Sequence, residues 1–164
     1  MKKVIVINGR GGAGKDTLCG LAAETYRVRN VSSITPIKNI AGQVGWEGGK
    51  EDRDRKFLAD LKQLVTEYND FPNEYLLAQC REFMSTDEEL MFVHIREPEQ
   101  IAHFVATAGC GVLTLLIRRD TGKELYGNAA DDNVEKYSYD LIYENNKPLE
   151  EAGEDFRRFL REKL

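Results

Sequence analysis

The sequence predicts an α/β domain: a doubly wound, three-layer arrangement in which a five-stranded parallel sheet carries helices on both faces. Three observations predict it. Short apolar runs alternate with longer stretches of helical periodicity, and glycine or charge follows the carboxyl ends of the runs. Residues 4–17 set a buried strand directly against a glycine-rich turn and a helix start. The length of 164 residues allows a sizeable core and is short for two ordinary domains, so 1–164 is read as one unit.

Val4-Ile5-Val6-Ile7 is the first strand, with β-branched residues suited to burial on both faces at the centre of a parallel sheet. The turn that follows has glycine at 9, 11, 12 and 14, which lets the backbone curl its N–H groups around an anion. Leu18, Leu21, Ala22 and Thr25 then recur at helical spacing, so the positive end of a helix faces the same anion. Lys15 adds an ammonium for the outer phosphates of a nucleotide. Gly9-x4-Gly14-Lys15 is the spacing of a phosphate-binding loop, with one departure: Asp16 stands where a magnesium-holding hydroxyl is usual, and the hydroxyl follows at Thr17. A carboxylate also suits a hard cation, so Asp16 and Thr17 are the candidate Mg²⁺ ligands. Gly9, Arg10, Gly11, Gly12, Ala13, Gly14, Lys15, Asp16 and Thr17 are the candidate ATP contacts.

The remaining elements follow in order. Val31–Ile34 reads as a second strand, and Pro36 opens a helix with Ile37, Ile40, Ala41 and Val44 on one face. Gly42, Gly45, Gly48 and Gly49 surround Trp46 in a hinge-like stretch. From Glu51 to Tyr68, an apolar stripe of Phe57, Leu58, Leu61, Leu64, Val65 and Tyr68 predicts a helix with Lys50, Arg53, Arg55 and Lys56 at its start. Basic charge there opposes the helix dipole, and an anion would account for it; a solvated face balanced by Glu51, Asp52 and Asp54 is the plainer explanation. A scaffold helix runs from Pro72 to Met84. Leu90–Ile95 is the third strand, delivering Arg96, Glu97 and Glu99 to the sheet edge where ligands bind, and the next helix stops at Gly109. Val112–Ile117 is the fourth strand and ends in Arg118-Arg119. The polar segment 120–134 reads as a mobile lid, Tyr139–Tyr143 as the fifth strand, and Leu149–Leu164 as a closing helix.

Composition narrows the function classes. With 41% hydrophobic residues, 31% charged and a net charge of −5, this is a globular composition that disfavours nucleic acid or a membrane surface as partner. Met1-Lys2-Lys3 precedes only four apolar residues, which is neither a signal peptide nor a membrane span, and a cytoplasmic protein is expected. Cys19, Cys80 and Cys110 are odd in number and widely separated, as expected of reduced, buried thiols.

Gly14-Lys15-Asp16-Thr17 resembles the phage-type deoxynucleoside monophosphate kinases, a branch of the nucleoside monophosphate kinase-like P-loop NTPase fold in which Asp follows the lysine. Thr35-Pro36-Ile37-Lys38 is similar to that family's Ala-Asp-Pro-x-Lys element, and Arg53 lies where the family places an arginine for the monophosphate. His94-Ile95-Arg96-Glu97-Pro98-Glu99-Gln100 resembles its Asp-Val-Arg-x-Pro-Asn-Glu, and Tyr139–Asn145 its terminal Tyr-Asp-x-x-Ile-x-Asn. His94 departs from the family's acidic residue and is expected to be a structural histidine. The resemblance implies phosphoryl transfer from ATP to a nucleoside monophosphate, by a monomer or homodimer. An acceptor-binding region would span about 35–70 and a short lid about 118–134. Lys15 would act with Arg118 and Arg119 in catalysis; Lys38, Arg53 and Arg96 would hold the acceptor; and Asn145 would border the ATP base. Arg96 could equally pair with Glu99. Two alternatives keep the loop: a small-molecule kinase of the dephospho-coenzyme A or phosphomevalonate type, and a nucleotide-binding regulatory NTPase.

Overall fold

A computed structural model describes residues 2–120, 122 and 132–164. The strands are β1 (Lys3–Asn8), β2 (Val28–Ser32), β3 (Leu90–His94), β4 (Val112–Arg118) and β5 (Leu141–Glu144). The helices are α1 (Lys15–Ala23), α2 (Thr35–Gln43), α3 (Asp52–Asn69), α4 (Phe71–Ser85), α5 (Pro98–Thr107) and α6 (Leu149–Lys163), with a 3₁₀ turn at Val134–Lys136. The five strands form one parallel sheet, as expected, and their order is β2-β3-β1-β4-β5.

β1 is central, and its alternating side chains build both layers of core. Ile5 and Ile7 pack with Leu18 and Ala22 of α1 and with Phe156 and Leu160 of α6. Val4 and Val6 face the other way, toward Leu76 and Phe83 of α4 and Ile101 and Phe104 of α5. The register aligns Ile7 with His94 on one side and Asn8 with Leu116 on the other, so β1 and β3 end almost level under the glycine-rich turn and β4 runs two residues further. That is the carboxyl edge at which an open parallel sheet binds ligands.

Three expectations change. β2 begins at Val28 rather than Val31: it is an edge strand whose polar residues are used, Arg29 pairing with Glu82 and Glu88. β5 begins at Leu141 because the two residues before it act as clamps, Tyr139 donating to the Val134 carbonyl (2.7 Å) and Asp140 accepting from Thr114 N–H and Oγ1 (2.8 Å each). The α3 stripe divides: Leu58, Leu61 and Val65 are half-buried, while Phe57, Leu64 and Tyr68 are exposed, Tyr68 to 83%. α3 packs against α2 and α4 beyond the sheet, so only one narrow face is covered. Its first turn carries Asp52 and the Glu51–Asp54 capping box, so acid meets the helix dipole and balances Arg53 and Arg55 beside it. Most of the lid segment, residues 121 and 123–131, lies outside the described residues. Among those described, no helix is long and apolar enough to cross a membrane.

Candidate functional site

The turn between β1 and α1 is shaped by side chains distant in sequence. Asn8, wholly buried at the end of β1, donates through Nδ2 to the Arg96 carbonyl (3.0 Å) and the Tyr139 hydroxyl (2.9 Å), and its Oδ1 accepts from Gly9 N–H (2.9 Å). Residue 9 must be glycine on grounds of space, since a Cβ would sit 2.6 Å from the Ile117 carbonyl oxygen. Asn145, only 6% exposed, donates through Nδ2 to the Ala13 carbonyl at 2.8 Å. Gly14 has φ of +89°, and a Cβ there would lie 2.6 Å from the same Asn145 nitrogen. α1 then starts at Lys15, so the amino end of the helix opens onto the loop. The Lys15 ammonium lies over the turn, donating to the Gly9 carbonyl at 3.2 Å.

Beside the loop is a cavity of about 250 Å³, lined by Arg10, Ala13, Arg118, Arg119, Glu135 and Asn146 among others. Arg118 is fixed by Glu135 (3.1 Å) and Glu144 (3.0 Å), and its hydrogen bond with Glu144 does most to raise its pKa. Arg119 is exposed at the same rim. Asn145 supports the loop from below, and its neighbour Asn146 supplies the lining.

On the other flank, Asp16 and Thr17 occupy the first turn of α1, both exposed. The Asp16 side chain, 95% exposed, faces His94, whose Nδ1 is 3.8 Å from Asp16 Oδ1. His94 Nε2 lies 3.2 Å from Asn30 Oδ1. Burial holds the imidazole below its ordinary pKa, against the pull of Asp16 and with the help of Lys15. Burial also pushes the adjacent Cys19 thiol up to about 12, which leaves it an inert core residue. Asp16 and Thr17 present the oxygen donors Mg²⁺ prefers, with room for water and phosphate, so the residues present fit that ion. Among the described residues, no group of three or more His, Cys, Asp or Glu is disposed to hold a metal by itself.

The acceptor candidates are less gathered. Arg96 stands exposed just past β3, its backbone carbonyl held by Asn8. Lys38 on α2 and Arg53 on α3 are exposed, and among the described residues no hydrogen bond or ion pair joins either to the loop. The cation that the fold does bury is Lys62, the one buried residue of α3, only 8% exposed. Its ammonium meets both Glu97 carboxylate oxygens (3.3 and 3.2 Å) and Ser33 Oγ (3.3 Å), tying α3 to the ends of β2 and β3. Lys62 falls between the apolar positions 58, 61 and 65, where a lysine reads as a solvated residue. Only its place on that face could have drawn notice.

A scan against protein-family models finds no match, and a search of curated proteins finds none either. Solved structures do match. A candidate kinase from Chloroflexus aurantiacus aligns at 11% identity and TM-score 0.60, covering 99% of this chain and 98% of that one. The tunicamycin resistance protein of Deinococcus radiodurans aligns at 12% identity and TM-score 0.59, covering 98% and 96%. Shikimate kinase from Aquifex aeolicus aligns at 15% identity and TM-score 0.52, covering 97% and 96%. At such identities the likeness is one of fold, and the fold is the three-layer α/β P-loop fold.

Proposed function

We propose that this chain is an ATP-dependent phosphotransferase whose acceptor is the phosphate of a nucleoside or deoxynucleoside monophosphate. The observation that carries the proposal is the junction of two features: a phosphate loop ending in Lys15 at a helix start, and the arginine-rimmed cavity that opens directly beside it. The loop amides and Lys15 hold the β- and γ-phosphates, and the cavity takes the rest of the nucleotide, with Asn146 and Arg119 at its rim. The acceptor lies across the β3 edge, near Arg96, with the 35–70 region closing over it and Lys38 and Arg53 joining the phosphate on closure.

An acceptor phosphate oxygen attacks Pγ; one P–O bond forms and the bond to the β-phosphate oxygen breaks, releasing ADP. The acceptor is already ionised, so no general base is required. The protein's task is to align the two phosphates, spread positive charge over the transferring group and exclude water. Lys15 supplies charge from the loop and Arg119 from the β4 end, while Arg118, already neutralised by Glu135 and Glu144, shapes the rim rather than supplying the charge first expected of it. Mg²⁺, when bound by Asp16 and Thr17, supplies further charge neutralisation at the phosphates.

One observation favours a second acceptor class. Glu97 places a carboxylate at the β3 edge, 34% exposed and held by Lys62, where it could accept the proton of a hydroxyl. A hydroxyl acceptor would make the chain a small-molecule kinase of the dephospho-coenzyme A type.

The test is ADP release with ATP and Mg²⁺ across a panel of ribo- and deoxyribonucleoside monophosphates, with dephospho-coenzyme A and phosphomevalonate alongside, and Lys15→Ala as the control. Stimulation by one monophosphate, lost in Lys15→Ala, is the expected result. Stimulation by dephospho-coenzyme A alone would transfer the assignment to the second class. Slow turnover that no acceptor accelerates would make the chain a nucleotide-binding regulatory NTPase.

A further inference from the structure

We propose that Asp16 and His94 together form a station for a first-row transition ion, Mn²⁺ or Co²⁺, held in preference to Mg²⁺ at the mouth of the phosphate loop. The proposal rests on the nucleotide-binding reading above and concerns the ion that accompanies the nucleotide.

The geometry begins with a tautomer. His94 Nε2 lies 3.2 Å from Asn30 Oδ1 and 4.0 Å from the Cys19 sulfur; with the Asn30 oxygen accepting, Nε2 carries the hydrogen and Nδ1 the lone pair. That lone pair faces the Asp16 carboxylate, with Nδ1 3.8 Å from Oδ1, too far for a hydrogen bond. Two acceptors therefore look at each other across a gap with no proton to share. A cation between them turns that opposition into coordination. Metal–nitrogen and metal–oxygen bonds of about 2.0–2.2 Å span such a gap at a wide angle, with little movement of the side chains.

The surroundings agree. Metal-binding imidazoles donate their other N–H to a carbonyl, carboxylate or water, which fixes the ring and raises its basicity, and Asn30 on β2 does this for His94. The strand β3 places the ring on the sheet's carboxyl edge, level with the end of β1 through the pairing of Ile7 with His94. The Asp16 carboxylate, almost fully exposed, can turn toward both the ion and a phosphate. The donor set is one imidazole nitrogen and one carboxylate, completed by phosphate and water. Mg²⁺ takes oxygen and sheds water reluctantly, whereas first-row transition ions gain affinity from an imidazole nitrogen, Mn²⁺ least and Co²⁺ more.

The test uses Mn²⁺ as the probe, with the β,γ-methylene analogue of ATP and ¹⁵N-labelled whole protein. Pulsed electron paramagnetic resonance should show a directly bound ¹⁵N that disappears in His94→Ala, and Mn²⁺ affinity in the ternary complex should fall about 10–100-fold in that variant. Mg²⁺ affinity should change much less, and His94→Asp should move the preference back toward Mg²⁺. Mn²⁺ bound with the nucleotide but without a protein ¹⁵N ligand would overturn the proposal and leave the nucleotide reading standing; that result needs only the wild-type chain. A wild-type chain that binds no Mn²⁺–nucleotide would remove both.

Discussion

Gly14 and Asn145 offer a quantitative test of how the phosphate loop is built. Gly14→Ala introduces a Cβ where φ is +89°, at a cost of about 1–2 kcal/mol for the left-handed backbone. The same Cβ would lie 2.6 Å from Asn145 Nδ2, so the amide must leave the Ala13 carbonyl, and losing that buried hydrogen bond costs about 1–3 kcal/mol more. Gly14→Ala should therefore destabilise by about 2–5 kcal/mol and Asn145→Ala by about 1–3 kcal/mol. In the double variant the hydrogen bond is lost once, not twice, and the clash has no partner. Its destabilisation should match that of Gly14→Ala alone, giving a coupling energy of about 1–3 kcal/mol. Urea unfolding of the four proteins, with m unchanged across the set, measures it. Strict additivity would refute the reasoning, because it would mean the two positions do not share the Ala13 contact.

Other perturbations probe separate parts of the molecule. Lys62→Met should cost about 1–2 kcal/mol in urea unfolding, below the roughly 3–5 kcal/mol of a fully buried pair, because Glu97 is 34% exposed and can rehydrate. A change within error would make the pair incidental to the seating of α3. Asp155 is held below the ordinary carboxylate range chiefly by its hydrogen bond with Lys147, and also by that with Tyr143. A depressed folded-state pKa gives stability that is present above the ordinary carboxylate pKa and lost as pH falls through the folded value. Asp155→Asn should accordingly melt lower than wild type at neutral pH, with the gap closing in acid; a gap independent of pH would assign the effect to packing. Burial pushes both Cys19 and Cys80 up to about 12, whereas Cys110 is only half-buried. An aromatic disulfide reagent should therefore modify Cys110 in the native chain and the other two only after unfolding, as peptide mapping would show.

What could be read from the sequence was what is encoded locally. The β1–loop–α1 unit carries its signal within fourteen residues, as an apolar run, glycines at fixed spacing and a helical repeat. α2, α4, α5 and α6 announce themselves through apolar periodicity. The start of β2 is hidden because Arg29 and Asn30 interrupt its apolar pattern, and their reason to be there lies on α4 and β3: Glu82 for the first, His94 for the second. The sequence around Lys62 declares nothing about the Glu97 it meets 35 residues later. Cys80 and Cys110 lie 30 residues apart in the chain, yet their sulfurs are 3.7 Å apart. In each case the missing information is a partner brought in by topology.

The strand order has a consequence for how the site divides its work. β1 lies between β3 and β4, so the phosphate loop is flanked by the ends of two strands that contact it differently. On the β4 side, Ile117 limits Gly9 sterically, and Arg118 and Arg119 line the cavity with Arg10. On the β3 side, His94 faces Asp16, and Arg96 is anchored through its carbonyl to Asn8. Asn8 touches both sides, since it bonds Arg96 beyond β3 and Tyr139 before β5. On the proposed function, substitutions at Arg119 should then act on nucleotide affinity and turnover and those at Arg96 mainly on the acceptor, while a change at Asn8 disturbs the two together. The residue best placed to couple the halves is thus the one no ligand need touch.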